Sequence, residues 1–185
     1  MSGARPLLVL GVGNLYYGDE GAGVHLVHHL RRKYAFPEGV DVVDGGTLGW
    51  DLLGMIAEHH HVILLDAVAA PPGKIYRFGR DDVPDEIGYG KLSSHEWEVP
   101  DLLSAMALLG DLPDVTIIAI GVAPLEFETG RVGVALSAPI LARMGAWAEV
   151  VLRELARHGV APITVRPELR AERPLTAEEI VLHHA

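Results

Sequence analysis

The chain has 185 residues, 15 Lys and Arg against 25 Asp and Glu for a formal net charge of −10, 49% hydrophobic residues, 21 Gly and no Cys. This length and apolar content suit one globular domain with a single core, and exclude a disordered chain. The missing cysteines exclude disulfides, thiolate metal sites, iron–sulfur clusters and a Cys nucleophile, so any metal must be held by His, Asp or Glu.

Leu7 to Leu10 reads as a first strand ending in the glycine turn Gly11-Val12-Gly13. Val24, Leu26, Val27 and Leu30 then repeat at helical spacing and close with Arg31, Arg32 and Lys33, cations that suit the negative end of a helix dipole. Val40 to Val43 is a second strand entering Asp44-Gly45-Gly46-Thr47, followed by Leu48, Leu52, Leu53 and Ile56 at helical intervals. Val62 to Leu65 is a third strand ending at Asp66, and Lys74 to Phe78 a less buried fourth after the turn Pro71-Pro72-Gly73. A loop from Gly79 to about Pro100 leads to a helix over Asp101–Leu109, a fifth strand over Val115–Val122, and a long helix through Arg157 with Ser137 as N-cap.

Strands apolar on both faces belong to a parallel sheet covered by helices. The expected fold is therefore α/β: three layers, a twisted, mostly parallel five-stranded sheet with helices on both faces. Residues 1–160 form the single domain, and 161–185 are expected to attach loosely or to fold only on a partner. The acidic balance argues against nucleic acid, whose binding rests on Lys and Arg neutralising phosphates. No apolar stretch approaches the roughly 20 residues of a membrane helix, and the N-terminus lacks a secretory signal. The protein is expected in the cytoplasm, away from the membrane.

Open parallel sheets bind ligands beyond the carboxyl ends of their strands. Three polar stretches follow strands: Gly11 to Gly23, Asp44 to Thr47, and Asp66; Ser93-Ser94-His95 comes from the loop after strand four. The Gly11-Val12-Gly13 turn with Asp44 suggests a dinucleotide site. Against that, Tyr16 stands at the third glycine of the fingerprint, and Asp19 and Glu20 would repel a pyrophosphate at the helix start. Carboxylates there attract a cation. Glu20, Asp66 and His95 thus form a candidate metal set of two oxygens and one nitrogen, a donor type that several divalent ions accept. Asp19 or Glu20 alone could equally cap the helix, and His95 alone could be a surface histidine. His59-His60-His61 is expected to be a solvated helix end. His25 and His29, four apart on the first helix, have no accompanying acid. No Gly-x-Ser-x-Gly elbow supports Ser93 or Ser94 as a nucleophile.

In order, Gly11-x-Gly13-Asn14, Asp19-Glu20-Gly21-x-Gly23-Val24, Asp44-Gly45-Gly46-Thr47, Asp66-Ala67, Ser94-His95 with Asp101-Leu102-Leu103, and Gly121-Val122-x-Pro124 with Glu126 resemble the [NiFe]-hydrogenase maturation endopeptidases. The resemblance runs from about Leu7 to Arg157. It implies an endopeptidase that removes a C-terminal extension from the hydrogenase large-subunit precursor after nickel insertion. It further implies that Glu20, Asp66 and His95, as metal-binding and catalytic set, contact nickel presented by the substrate rather than a permanent cofactor. Asp44, Gly45 and Gly46 match a motif that makes them candidate substrate contacts. A nickel-dependent binding or chaperone protein without peptidase activity is the alternative of another class. Peptidyl-tRNA hydrolases share a similar first turn, but the Arg-His-Asn stretch they need next is absent.

Overall fold

The structure is a computed structural model that describes residues 7–47, 52–79, 113–124, 135–160, 164–165 and 176–182. Its elements are β1 (Leu7–Val12), a 3-10 segment (Leu15–Gly21), α1 (Ala22–Lys33), β2 (Tyr34–Ala35), β3 (Val40–Gly46), α2 (Leu52–Ala57), β4 (His61–Ala69), β5 (Ile75–Gly79), β6 (Asp114–Val122), α3 (Ala138–Arg157), β7 (Thr164–Val165) and α4 (Ala177–Leu182). Five strands form one sheet in the order β3-β1-β4-β6-β5. The first four run parallel, and the edge strand β5 runs antiparallel to β6.

The strands are apolar on both sides because both faces of the sheet are covered. Side chains alternate across a strand, and Leu7 and Val9 of β1 enter one core with Ile63, Leu65, Ile118 and Ile120. That core also holds Leu26, Val27 and Leu30 of α1 and Ile140, Met144, Trp147 and Val151 of α3. Leu8 and Leu10 enter a second core on the opposite face with Val62, Leu64, Ile117, and Leu52 and Ile56 of α2. Each fully buried side chain of this size contributes roughly 1.5–3 kcal/mol. Trp147 is fully buried and its indole N–H donates to the Ile118 carbonyl at 3.2 Å, which fixes α3 against β6. Three-layer α/β architecture and the mostly parallel sheet are thus as the apolar pattern implies.

One local reading changes, and two features are added to the expected pattern. β4 runs on to Ala69, so Asp66 lies inside a strand rather than after one. It does so because residues 66–69 keep pairing with β6 beyond the point where β1 has ended. Ser137 does occupy the N-cap position of α3, with extended φ −67° and ψ 157°, but its side chain makes no capping bond. The short strand β2 pairs antiparallel with β7, a pairing that no apolar run announces. In α4, Ala177 and Ile180 are buried. No helix among the described residues is long and apolar enough to cross a membrane.

Candidate active site

From β1 the chain crosses through α1 to β3 on one side, then through α2 to β4 on the other side of β1. The carboxyl ends of β1 and β4 therefore flank the topological switch point, where doubly wound sheets hold their ligands. Everything that leads from β1 into α1 converges there.

Asn14 starts this connection by accepting the Tyr16 amide on its side-chain oxygen at 2.9 Å, opening the 3-10 segment. The segment bends at Gly18 (φ 57°, ψ −114°) and carries Glu20 in its last turn, just ahead of α1. Two glycines make the route possible. Gly13 has φ 132°, and a Cβ there would come within 2.0 Å of the Glu20 carbonyl oxygen. At Gly23 a Cβ would come within 2.3 Å of the Leu65 carbonyl and 2.5 Å of the Val12 carbonyl. The first turn of α1 thus rests directly on the end of β1 and the middle of β4. Glu20, three residues earlier, is held at the same edge, only 5% exposed, and Asp66 follows Leu65 there.

This geometry sharpens the objection to a dinucleotide. Gly23, not the position of Tyr16, supplies the close helix–strand approach that the third fingerprint glycine normally gives. The 3-10 turn carries Asp19 and Glu20 just ahead of α1, and carboxylates at a helix start repel a pyrophosphate. Asp66 directs its Oδ1 to the amide of Ala67 at 2.7 Å. Asp19 does not cap α1: its Oδ1 accepts the Ser137 amide at 2.6 Å and so ties the site loop to the start of α3.

Asp44 closes the other flank. Its Oδ1 accepts the Gly46 amide at 2.9 Å, where Gly46 has φ 49°, and its Oδ2 lies 2.7 Å from Nε2 of His28. Gly45 has a packing reason to be glycine, since a Cβ would meet the Leu10 side chain at 2.9 Å. His28, buried on α1, is a participant that sequence reasoning passed over. The signal was present: it lies one residue beyond apolar Val27 on the helix that packs on β3, whose end carries an acid.

Of the run expected to be solvated, His60 is exposed, but its two neighbours depart from expectation. His59 and His61 are buried, not solvated. His59 bridges the Met55 carbonyl at 2.6 Å and Asp41 at 3.0 Å, while His61 opens β4 and meets Asp114 at 3.1 Å. Burial, then neighbouring His158, holds His61 below the usual histidine range. His25 and His29 are buried as well. Burial first, then Lys33 and Arg32, lowers His29 to about 4. His95, Ser93 and Ser94, the helix expected over Asp101–Leu109, and Glu126 lie outside the described residues. Of the proposed set, Glu20 lies in the 3-10 turn ahead of α1, and Asp66 lies inside β4 one residue after Leu65, whose carbonyl faces Gly23.

Known proteins share this fold. A family model described as hydrogenase maturation protease matches residues 24–154. The chain is 36% identical over 179 residues to the hydrogenase expression/formation protein HupD of Rhizobium leguminosarum bv. viciae, covering 96% of this chain and 87% of that protein. It is 34% identical over 160 residues to the hydrogenase 2 maturation protease of Escherichia coli K12, covering 85% and 94%. The solved structure of the hydrogenase maturating endopeptidase HybD from E. coli superposes with a TM-score of 0.73 at 31% identity, over 88% of this chain and 99% of that one. The carboxylate-bearing switch point thus sits on the frame of a hydrolase, and the chain belongs to the hydrogenase maturation protease family.

Proposed function

We propose that this protein removes the C-terminal extension of a [NiFe]-hydrogenase large-subunit precursor, and does so only after nickel has been inserted. The observation that carries the reading is the pair of carboxylates at the switch point, Glu20 buried at the end of the 3-10 turn and Asp66 on the adjacent strand. Such a pair favours a cation and disfavours an anion.

Oxygen donors with the imidazole of His95 would hold nickel weakly, whereas thiolates of a substrate would hold it well. In this reading the metal arrives as part of the substrate, and Glu20, Asp66 and His95 complete its coordination from the enzyme side. Docking then depends on loading. Asp44, fixed by His28 and by the Gly46 amide, lines the neighbouring strand end as a rigid contact for the substrate backbone. Asp19, bonded to the start of α3, holds the loop that presents Glu20.

The test is to incubate the purified protein with nickel-loaded and nickel-free precursor and follow the intact mass. Loss of a C-terminal peptide from the loaded precursor alone is expected, with Glu20→Ala and His95→Ala folded but inactive. Cleavage of both precursors would overturn nickel reading. An uncut, stably bound precursor would overturn the peptidase and leave a binding protein.

A further inference from the structure

Far from the switch point, the amino ends of β4 and β6 meet the last turn of α3, and three metal-competent side chains converge. His61, Glu154 and His158 each offer a ligand atom, and these atoms lie within 4.8 Å of one another. We infer that His61, Glu154 and His158 form a second divalent-cation site, of the zinc or nickel class, which fastens α3 to the sheet.

The donor set is two imidazoles and one carboxylate, a combination that binds zinc with water in the remaining position. His61 and Glu154 are buried, while His158, in the turn after α3, is partly exposed and gives the ion a way in. The outer contacts are also of the right kind. Asp114 Oδ2 lies 3.1 Å from His61 Nδ1, so this nitrogen is fixed by a carboxylate and Nε2 is left facing inward. Carboxylate partners of this type orient metal-ligating histidines. The Thr116 hydroxyl, 3.3 Å from His61 Nε2 and 3.3 Å from Glu154 Oε1, sits between the ligands.

Glu154 is held at both oxygens by Arg77, at 2.7 and 2.6 Å, and at Oε2 by Arg157 at 2.8 Å. Its Oε1 is 3.5 Å from His158 Nε2, close to the separation of about 3.3 Å that two ligands take on a tetrahedral ion with bonds of about 2 Å. The two arginines balance the charges of Glu154 and Asp114, so a bound dication gains little from net charge and the imidazoles must supply most of the affinity. Binding is accordingly expected in the micromolar range. One side chain has to move. The rings of His61 and His158 stack with centroids 3.6 Å apart, whereas two imidazoles on one tetrahedral ion hold their centroids about 5 Å apart. His158 is the free one to swing, since His61 is anchored on both sides.

The site is tested by calorimetric titration of tag-free protein with zinc chloride, together with thermal unfolding with and without zinc. Because the switch-point carboxylates also attract cations, the titration is run on Glu20→Ala as well as on the unaltered protein. Zinc should bind Glu20→Ala and raise its Tm. Adding His158→Ala, an exposed turn substitution that leaves the core intact, to Glu20→Ala should abolish that Tm increase and weaken zinc binding at least about tenfold. The histidine ring resonances should report loss of the His61–His158 stack on zinc addition. Failure of Glu20→Ala to bind zinc overturns the site, as does binding of equal affinity after His158→Ala is added.

Discussion

Acidification should destabilise this protein through His29 over a defined window. Its side chain is buried, and among the described residues its Nε2 meets no hydrogen-bond partner. Burial, with Lys33 and Arg32 nearby, brings its folded-state value from 6.5 to about 4. A histidine whose value is lowered by folding contributes stability that is complete above the unfolded value and lost as pH falls through it. The unfolded chain takes up the proton below about 6.5, whereas the folded chain resists until about 4. A difference of about 2.5 units at about 1.36 kcal/mol each gives a limit of about 3 kcal/mol, of which about 2 kcal/mol is lost by pH 5. Urea unfolding at pH 7.5, 6, 5 and 4.5 would be run in parallel on the unaltered chain and on His29→Leu. Leucine changes the baseline, but the prediction concerns the slope: the gap between the two profiles should shift by about 2 kcal/mol in favour of His29→Leu between pH 7.5 and pH 5. Parallel profiles would refute the reasoning.

Gly23→Ala should be among the most damaging small substitutions, because its Cβ would stand within 2.5 Å of two strand carbonyls; a loss of about 2–4 kcal/mol in chemical unfolding is expected, with precursor cleavage falling alongside. His28→Ala removes the 2.7 Å partner of Asp44 and should raise KM for the precursor more than it lowers kcat, with His28→Gln recovering part of the loss. Trp147→Phe deletes the indole donor to Ile118 and leaves a small void beside a buried carbonyl; a loss of about 1–3 kcal/mol in thermal or urea unfolding is expected.

The alternation of strand and helix was legible because the central strands β1, β4 and β6 are apolar on both faces and the long helices repeat apolar residues at helical spacing, signals that are local in sequence. The carboxylates of the switch point were legible for the same reason: Glu20 follows a glycine turn and Asp66 follows four apolar residues. What the chain hid depends on partners far away in sequence. His59 and His61 read as a polar run because nothing nearby shows that Asp41 and Asp114, 18 and 53 residues away, will satisfy them inside the protein. Asp66 read as the end of a strand because the strand continues only by virtue of β6, which comes about fifty residues later. Ser137 has the right residue type for a cap, yet the bond that matters runs from its backbone to Asp19, 118 residues earlier. The glycine that brings helix and strand together, Gly23, lies beyond the fingerprint spacing because the 3-10 turn lengthens the link between β1 and α1.

The helix α3 has 20 residues and so spans about 30 Å. One end is bonded to Asp19, next in sequence to buried Glu20, and the other is gripped by Arg77 through Glu154. It acts as a strut between opposite rims of the sheet, and a stiff strut transmits displacement without any relay of side-chain rearrangements. The position of the turn that carries Asp19 and Glu20 is therefore set from both ends of this helix at once, and damage at the distant rim is expected to shift that turn.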